Sequence, residues 1–207
     1  MDWNRYFALL SDWKKLLAYK AEPRIDSLIG YYLPQIVADY CHENIIGIIP
    51  ELPLRLGTLK PEHNDTNYAD RSYKVDFYLL DSNGTNYLIE FKTDQGSRRE
   101  KQDRYLNEAK CIKMKALVDG ICQIARVSSY KAKYGHLLRK LSEFGLIDND
   151  GNYSGKSEIV EIIYVEPHSI DDNKCISFEW ISNWMKQKYE NSEFELEFAQ
   201  LLQEWAE

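Results

Sequence analysis

Three charged side chains interrupt two stretches of the sequence that otherwise have the composition of buried β-strands. Glu90 and Lys92 lie two residues apart in IEFKTD, and Asp76 lies in YKVDFYLL, fourteen residues before Glu90. Residues two apart on a strand point to the same face. Two carboxylates beside an ammonium group can hold a hydrated divalent cation and stabilise charge that develops on a phosphate. The chemistry suggested by this set is metal-assisted hydrolysis of a phosphodiester.

The turn between the two strands decides whether the carboxylates share a face. A two-residue turn at Asn83-Gly84 sets Asp76 opposite Phe91, which separates the carboxylates. A three-residue turn at Ser82-Asn83-Gly84 sets Asp76 directly opposite Glu90. The last position of that longer turn requires a left-handed backbone, and glycine stands there. The site hypothesis therefore requires the three-residue turn.

An alternative role for the three charges is structural. Lys92 would then bridge Asp76 and Glu90 as an ion-pair ladder on an exposed sheet face. The apolar neighbours would hold the opposite, buried face; they are Val75, Phe77, Ile89 and Phe91.

The elements that position these residues follow from hydrophobic periodicity and from turn residues. Helices are predicted at 2–19, from about 26 to 42, from about 98 through a segment containing Gly120, and at about 133–144. Strands are predicted at about 51–57, 72–81, 85–93 and 159–165, a polar loop at 58–71, a turn-rich loop at 148–155, and two short acidic helices at 178–206.

Individual residues should begin, bend or end these elements. Asp26 is the expected N-cap of the second helix, and Pro34 should kink or split it. Gly145 should end the helix that begins near Lys133. The strand at 51–57 contains Pro53 and is therefore expected at a sheet edge, where proline is tolerated.

The order of the elements predicts an α/β protein. A helix, three strands, a helix and a strand imply a mixed sheet flanked by helices, with helical additions at both ends. We expect a single domain over residues 1–207, with an N-terminal helix (1–22), a core (26–165) and C-terminal helices (170–207).

Composition excludes several classes of protein. No run approaches 18 consecutive apolar residues, so no membrane span is expected. The N-terminus lacks the pattern of a secretory signal, which predicts a cytoplasmic protein. The four cysteines form no CxxC pair and are expected to be buried or inert thiols; they are Cys41, Cys111, Cys122 and Cys175.

The distribution of charge leaves room for a nucleic-acid partner although the net charge is −7. Residues 91–140 hold 13 Lys or Arg against 5 Asp or Glu. A local positive field can attract a polyanion to an acidic protein. The residues that open the helix after the triad are expected to contact a phosphate backbone, with help from the helix N-terminus; they are Arg98, Arg99, Lys101 and Arg104.

The pattern of Val75-Asp76 on one strand and Glu90-Phe91-Lys92 on the next resembles the core of the PD-(D/E)xK nuclease superfamily. That group includes restriction endonucleases, Holliday-junction resolvases and RecB-type nuclease domains. The resemblance covers about residues 26–165 and implies a restriction-endonuclease-like αβββαβ core. It also implies a Mg-dependent deoxyribonuclease and, by analogy, a homodimer.

The resemblance assigns roles to single residues. It implies that Asp76 and Glu90 hold Mg²⁺ or Mn²⁺, that the Phe91 carbonyl adds a ligand, and that Lys92 is the catalytic lysine. Members often carry an acidic residue on the first core helix, for which Asp26, Asp39 and Glu43 compete here, with Glu43 favoured. Some RecB-like members also place a glutamine and a tyrosine on the following helix, for which the candidates are Gln102 and Tyr105.

Two other functions use the same residues. One is a catalytically inactive binding or scaffold protein that retains the nuclease fold. The other is a hydrolase that uses the same carboxylates on a substrate other than nucleic acid.

Overall fold

The structure is a computed structural model that describes residues 1–63, 69, 71–94, 100–169 and 174–206. Its strands are β1 (Ile45–Arg55), β2 (Ser72–Asp81), β3 (Asn86–Phe91), β4 (Val160–Glu166) and β5 (Cys175–Ser177). Its helices are α1 (Trp3–Lys14), α2 (Glu22–Cys41), α3 (Leu56–Leu59), α4 (Glu100–Ile112), α5 (Met114–Val127), α6 (Lys131–Glu143), α7 (Phe178–Lys188) and α8 (Glu193–Trp205).

The α/β class predicted from the order of elements is confirmed. The five strands form one sheet in the order β1-β2-β3-β4-β5. Strands β1 and β2 are antiparallel, as are β2 and β3, whereas β4 and β5 are parallel. The sheet is therefore mixed, as predicted. None of the helices within the described ranges is long and apolar enough to cross a membrane.

The chain divides into two compact units. The first unit comprises Met1–Cys41, Glu90–Arg99 and Ile163–Glu207. The second unit comprises His42–Ile89 and Glu100–Ile162. Asp76 lies in the second unit, and Glu90 and Lys92 lie in the first.

In the first unit, the aromatic N-terminal helix packs against the C-terminal helix. The rings of Phe7 and Phe198 stack at 5.6 Å, and Trp3 meets Phe194 edge-on at 4.7 Å. Such contacts stabilise a core beyond the area that they bury. Trp3 and Phe7 are therefore packing residues, whereas Tyr6 and Trp13 are 37% and 40% exposed. Both predicted C-terminal helices are present.

The second helix begins four residues before the predicted N-cap. It starts at Glu22, with Pro23 in the first turn, where its missing N–H costs nothing. Asp26 is therefore inside the helix, and its prediction as the N-cap is wrong. Pro34 is also inside, and α2 continues through it to Cys41 without a split.

In the second unit, β1 is longer than predicted and begins at Ile45. The predicted edge position is confirmed, because β1 is at one end of the strand order. Proline lacks an N–H donor, and an edge strand leaves one side of its backbone unpaired. Pro50 and Pro53 are therefore accommodated within β1. The sequence predicts an interruption at these prolines because the edge position is a feature of tertiary structure.

One further boundary differs from the prediction, and another agrees with it. The helix expected through Gly120 is two helices, separated at Lys113, which has a φ of 72°. Gly120 is inside α5, where a Cβ would collide with the side chain of Thr58, so close packing explains the glycine. Helix α6 ends before Gly145, which has a φ of 70°, as predicted.

The cysteines only partly follow the prediction. Cys122 and Cys175 are buried, Cys41 is half-buried, and Cys111 is exposed on α4. All four are free thiols. The exposed position of Cys111 contradicts the expectation of a core residue.

Candidate active site

The hairpin of β2 and β3 has the register that the site hypothesis requires. Its pairs run from Leu80–Asn86 to Phe77–Ile89, and the Asp81 N–H donates to the Thr85 carbonyl at 3.1 Å. The turn is therefore the three-residue turn, and Gly84 has a φ of 95° at its last position. The prediction of this turn from the glycine is confirmed.

The side chain of Asp81 holds this turn. Its buried carboxylate accepts hydrogen bonds from the backbone N–H groups of Asn83 and Thr85 at 2.9 and 2.8 Å. The Tyr87 hydroxyl donates to the same carboxylate at 3.1 Å. Aspartate commonly satisfies a turn in this way, by bonding to the backbone two residues on. The sequence DSNGT therefore encodes both the turn and its length.

A buried polar network fixes the rest of the hairpin. The Asn86 side-chain amide donates to the carbonyls of Gly84, Ser157 and Ile159 at 3.0, 3.1 and 2.9 Å. The Tyr78 hydroxyl donates to the Asn86 side-chain oxygen at 2.8 Å. Burial raises the pKa of Tyr78, so its hydroxyl remains a neutral donor. A fully satisfied network of this kind disfavours a slipped register.

Replacing Gly84 by alanine should destabilise the protein by about 2 kcal/mol, since an L-residue is strained at this φ. The new Cβ would also lie 2.7 Å from the Cβ of Lys156. Thermal denaturation should show a Tm lowered by about 4–8 °C. The matched control is Gly135→Ala in α6, where a Cβ meets nothing within 4 Å; it should raise stability by about 0.4–1 kcal/mol. Equal effects of the two substitutions would contradict the role of Gly84.

Glu90 and Lys92 form a buried ion pair in the first unit. The Lys92 ammonium lies 2.7 Å from a Glu90 carboxylate oxygen and donates to the Phe91 carbonyl at 2.8 Å. Glu90 is 1% exposed and Lys92 is 4% exposed. The alternative of an exposed ion-pair ladder is therefore wrong for these two residues. Burying such a pair is costly, so it is weak evidence for a purely stabilising role.

Glu22 is a third charged residue beside Lys92, and sequence reasoning missed it. Its carboxylate lies 3.8 Å from the Lys92 ammonium, within the first unit. Glu22 is the first residue of α2. The Glu22-Pro23 pair read as a break between helices, whereas proline in the first turn is a signal for a helix start. That signal would have made Glu22 a candidate for the acidic residue on the first core helix.

Glu43, the favoured accessory residue, lies elsewhere. It follows the end of α2, and its carboxylate accepts a hydrogen bond from the Asn83 side chain at 2.8 Å. Asn83 is in the hairpin turn beyond Asp81, the last residue of β2, and Asp76 is five residues before Asp81. Five residues of strand span about 17 Å, so Glu43 is not brought to Asp76.

Gln102 and Tyr105 lie on α4 as predicted, and the Tyr105 ring contacts a side chain on the face of β2 opposite to that of Asp76. Its ring stacks on that of Tyr73 at 4.7 Å, and its hydroxyl donates to the Lys74 carbonyl. Tyr73 and Asp76 are three residues apart on β2 and therefore point to opposite faces. Gln102 is half-buried on the same helix.

Only part of the predicted phosphate-binding set can be placed. Arg98 and Arg99 lie outside the described residues. Lys101 and Arg104 are exposed on α4, and the Lys101 ammonium lies 5.3 Å from the centre of the Tyr73 ring. The first turn of α4 carries Glu100 and Asp103, which already complement the positive end of the helix dipole.

The chemistry of the donors fits a hard divalent cation. The Glu90 carboxylate and the Phe91 carbonyl offer oxygen atoms, which Mg²⁺ prefers, and Mg²⁺ keeps several waters in its coordination shell. Within the described ranges, no group of three or more His, Cys, Asp or Glu side chains is positioned to hold a metal. A site at Glu90 would rest on its carboxylate, the Phe91 carbonyl and water.

Comparison with known proteins gives no relative from which roles could be transferred. No protein-family model, no curated protein and no solved structure matches the chain. The hairpin register and the buried Glu90–Lys92 pair are therefore the observations that bear on function.

Proposed function

We propose that the protein is a metal-dependent nuclease of the PD-(D/E)xK type that hydrolyses phosphodiester bonds of DNA. Asp76 and Glu90 hold Mg²⁺ or Mn²⁺ with the Phe91 carbonyl, and Lys92 assists the attacking water. The observation that carries the proposal is the hairpin register. The register predicted from Gly84 as the condition for the site is the one that β2 and β3 adopt.

Under this proposal, the pairing series continues by one step and sets Asp76 against Glu90. Two opposed carboxylates repel each other, which destabilises a bare sheet. A divalent cation removes that repulsion. When bound, it also supplies Lewis-acid activation of a phosphate oxygen and lowers the pKa of a coordinated water. Because the Lys92 ammonium already pairs with Glu90, the cation and the lysine would together compensate the two carboxylates.

The surroundings of Lys92 support its proposed role. Its ammonium is held by two oxygen atoms of β3, in the Glu90 carboxylate and the Phe91 carbonyl. A lysine fixed in a buried position can orient a water molecule and stabilise negative charge on a phosphate. The Glu22 carboxylate, 3.8 Å from the same ammonium, would restrict its movement further.

The first test is a cleavage assay on labelled single-stranded and duplex DNA with Mg²⁺, Mn²⁺ or EDTA. The wild type should cut in either metal and stop in EDTA. No cleavage of any DNA in either metal would favour the alternative of an inactive scaffold with this fold.

A matched pair of substitutions tests which acidic residue belongs to the site. Glu22→Gln should lower the cleavage rate by about 10–100-fold, as expected when a group that orients an active residue is removed. Glu43→Gln should change the rate by less than about twofold, because its carboxylate bonds to the hairpin turn. The reverse order of effects would show that the site extends toward the turn and excludes Glu22.

A further inference from the structure

A cleft lies near Asp76 within the second unit. This cleft of about 450 Å³ opens between β1, β2 and the first half of α6; its lining is Glu51, Pro53, Lys74, Ser128, Tyr130, Lys133, Tyr134 and Leu137. Its volume falls in the range of about 300–1,000 Å³ that small-molecule sites occupy. The cleft can therefore receive a group the size of a nucleotide.

Register places this cleft on the Asp76 face of the sheet. The pairs Pro50–Phe77 and Leu52–Val75 lie on either side of Glu51 and Asp76 and set them opposite each other. Lys74 is two residues from Asp76 on β2 and shares its face. The spacing of two strand residues is about 7 Å. A nucleotide adjoining a phosphate at Asp76 would thus reach the cleft.

Glu51, which lines the cleft, has an unusual backbone. Its φ is 54°, although it is neither glycine nor asparagine and stands in the interior of β1. Such a conformation is strained, and strained residues concentrate at functional sites. The Glu51 carboxylate lies 3.3 Å from the Lys74 ammonium. A hydrogen-bond acceptor, the Glu51 carboxylate, is therefore adjacent to a donor, the Lys74 ammonium, in the lining of the cleft.

The lining also contains an aromatic and a basic residue, Tyr130 and Lys133. Tyr130 is 66% exposed, which is unusual for so large an aromatic side chain, and the Lys133 ammonium lies 5.7 Å from the centre of its ring. The Tyr130 backbone N–H donates to the buried Ser128 hydroxyl at 3.1 Å, which restrains the backbone just before α6. Exposed aromatic rings combined with lysines are the usual elements of single-strand nucleic-acid binding, by base stacking and phosphate pairing.

We propose that this cleft binds an unpaired nucleobase next to the scissile phosphate and that the substrate is single-stranded nucleic acid. The base stacks on Tyr130, its edge meets the Glu51–Lys74 pair, and Lys133 pairs with a phosphate. A base within a duplex is stacked and paired, so it cannot enter without leaving the helix. This inference rests on the proposed nuclease function, because it places the cleft beside a phosphate at Asp76.

The test is direct binding in EDTA, where metal-dependent cleavage cannot occur. Fluorescence anisotropy would use a labelled single strand of about 12 nucleotides, the length that one binding domain covers. Tyr130→Ala should weaken binding by about tenfold. Tyr130→Phe should stay within about twofold, because the stacking face remains. Tyr31→Ala, at an exposed tyrosine on α2, is the matched control and should have no effect.

Duplex DNA of the same sequence should bind more weakly than the single strand and should not respond to Tyr130→Ala. Unchanged single-strand affinity in Tyr130→Ala, equal losses for duplex and single strand, or no binding by the wild type would each overturn the inference. Failure of the nuclease function gives a different result. In that case the wild type would cut nothing with Mg²⁺ or Mn²⁺, yet the Tyr130-dependent binding in EDTA would persist.

Discussion

Lys92→Met is expected to reduce cleavage by about 10²–10⁴-fold while leaving metal binding intact. The loss has the size seen when a positioned proton-transfer or charge-stabilising group is removed. Methionine fills a similar buried volume without the charge, so the substitution separates chemistry from packing. Single-turnover cleavage with saturating Mg²⁺ measures the effect directly.

The same substitution should also destabilise the metal-free protein by about 3–5 kcal/mol. Glu90 is 1% exposed, and the Lys92 ammonium at 2.7 Å is its close countercharge. Removal of one partner leaves an uncompensated buried charge. A bound divalent cation would compensate that charge, so Mg²⁺ should raise the Tm of Lys92→Met more than that of the wild type. Equal shifts in Tm would contradict a metal at Glu90.

Two variants control this result. Lys110→Met removes a lysine that lies 3.2 Å from Glu161 in a partly exposed pair, and should cost no more than about 1 kcal/mol. The double variant Glu90→Gln/Lys92→Met removes both charges and should be more stable than Lys92→Met alone. If Lys110→Met were as harmful as Lys92→Met, loss of net charge rather than the buried pair would explain the effect.

Asp76→Asn should abolish cleavage, with a loss of about 10³-fold or more, while the fold is retained. A ligated cation supplies several kcal/mol to the transition state, and each factor of ten corresponds to about 1.4 kcal/mol. Asp76 is half-buried, and asparagine has nearly the same shape. Its stability in EDTA should therefore stay within about 1 kcal/mol of the wild type, and the variant should gain no stability from Mg²⁺.

The control for Asp76→Asn is Asp119→Asn on α5. Asp119 forms an exposed pair with Lys115 at 2.9 Å, so its loss removes one carboxylate without touching the hairpin. Cleavage by Asp119→Asn should match that of the wild type. Retained cleavage in Asp76→Asn would remove this residue from the site and, with it, the function proposed for the hairpin.

The features that the sequence predicted correctly are those encoded by neighbouring residues. Gly84 and Asp81 specify the length of one turn, and that length determines which face every residue of the hairpin occupies. The bounds of β2 agree with the prediction, because the composition of the strand and the turn residues on either side are local features of the sequence. The end of α6 before Gly145 follows from the same kind of signal.

The errors arose where packing overrides local preference. Pro50 and Pro53 argued against a strand at Ile45, but the edge of a sheet requires fewer backbone donors. The break at Lys113 needs a left-handed backbone that lysine rarely adopts, so its residue type carries no signal. Strand β5 has three residues, too few for a recognisable alternation.

Part of the candidate site could not be predicted from the sequence because it also depends on tertiary packing. Glu90 and Lys92 could be chosen from their spacing, but their burial could not, since charged residues at alternate positions usually mark an exposed face. The contact of Glu22 with Lys92 joins residues seventy positions apart and depends on tertiary structure. Glu43, the favoured accessory residue, bonds to Asn83, forty positions along the chain, a contact that no local pattern predicts.

The central claim is that the hairpin carboxylates hold a divalent metal. The most direct test is calorimetric titration of Mg²⁺ or Mn²⁺ into the wild type and Asp76→Asn, each alone and with DNA. We expect a site in the wild type, tightened by the phosphates of DNA, and no such site in Asp76→Asn. The absence of binding by the wild type in both conditions, or equal binding by Asp76→Asn, would contradict the claim and favour a scaffold protein.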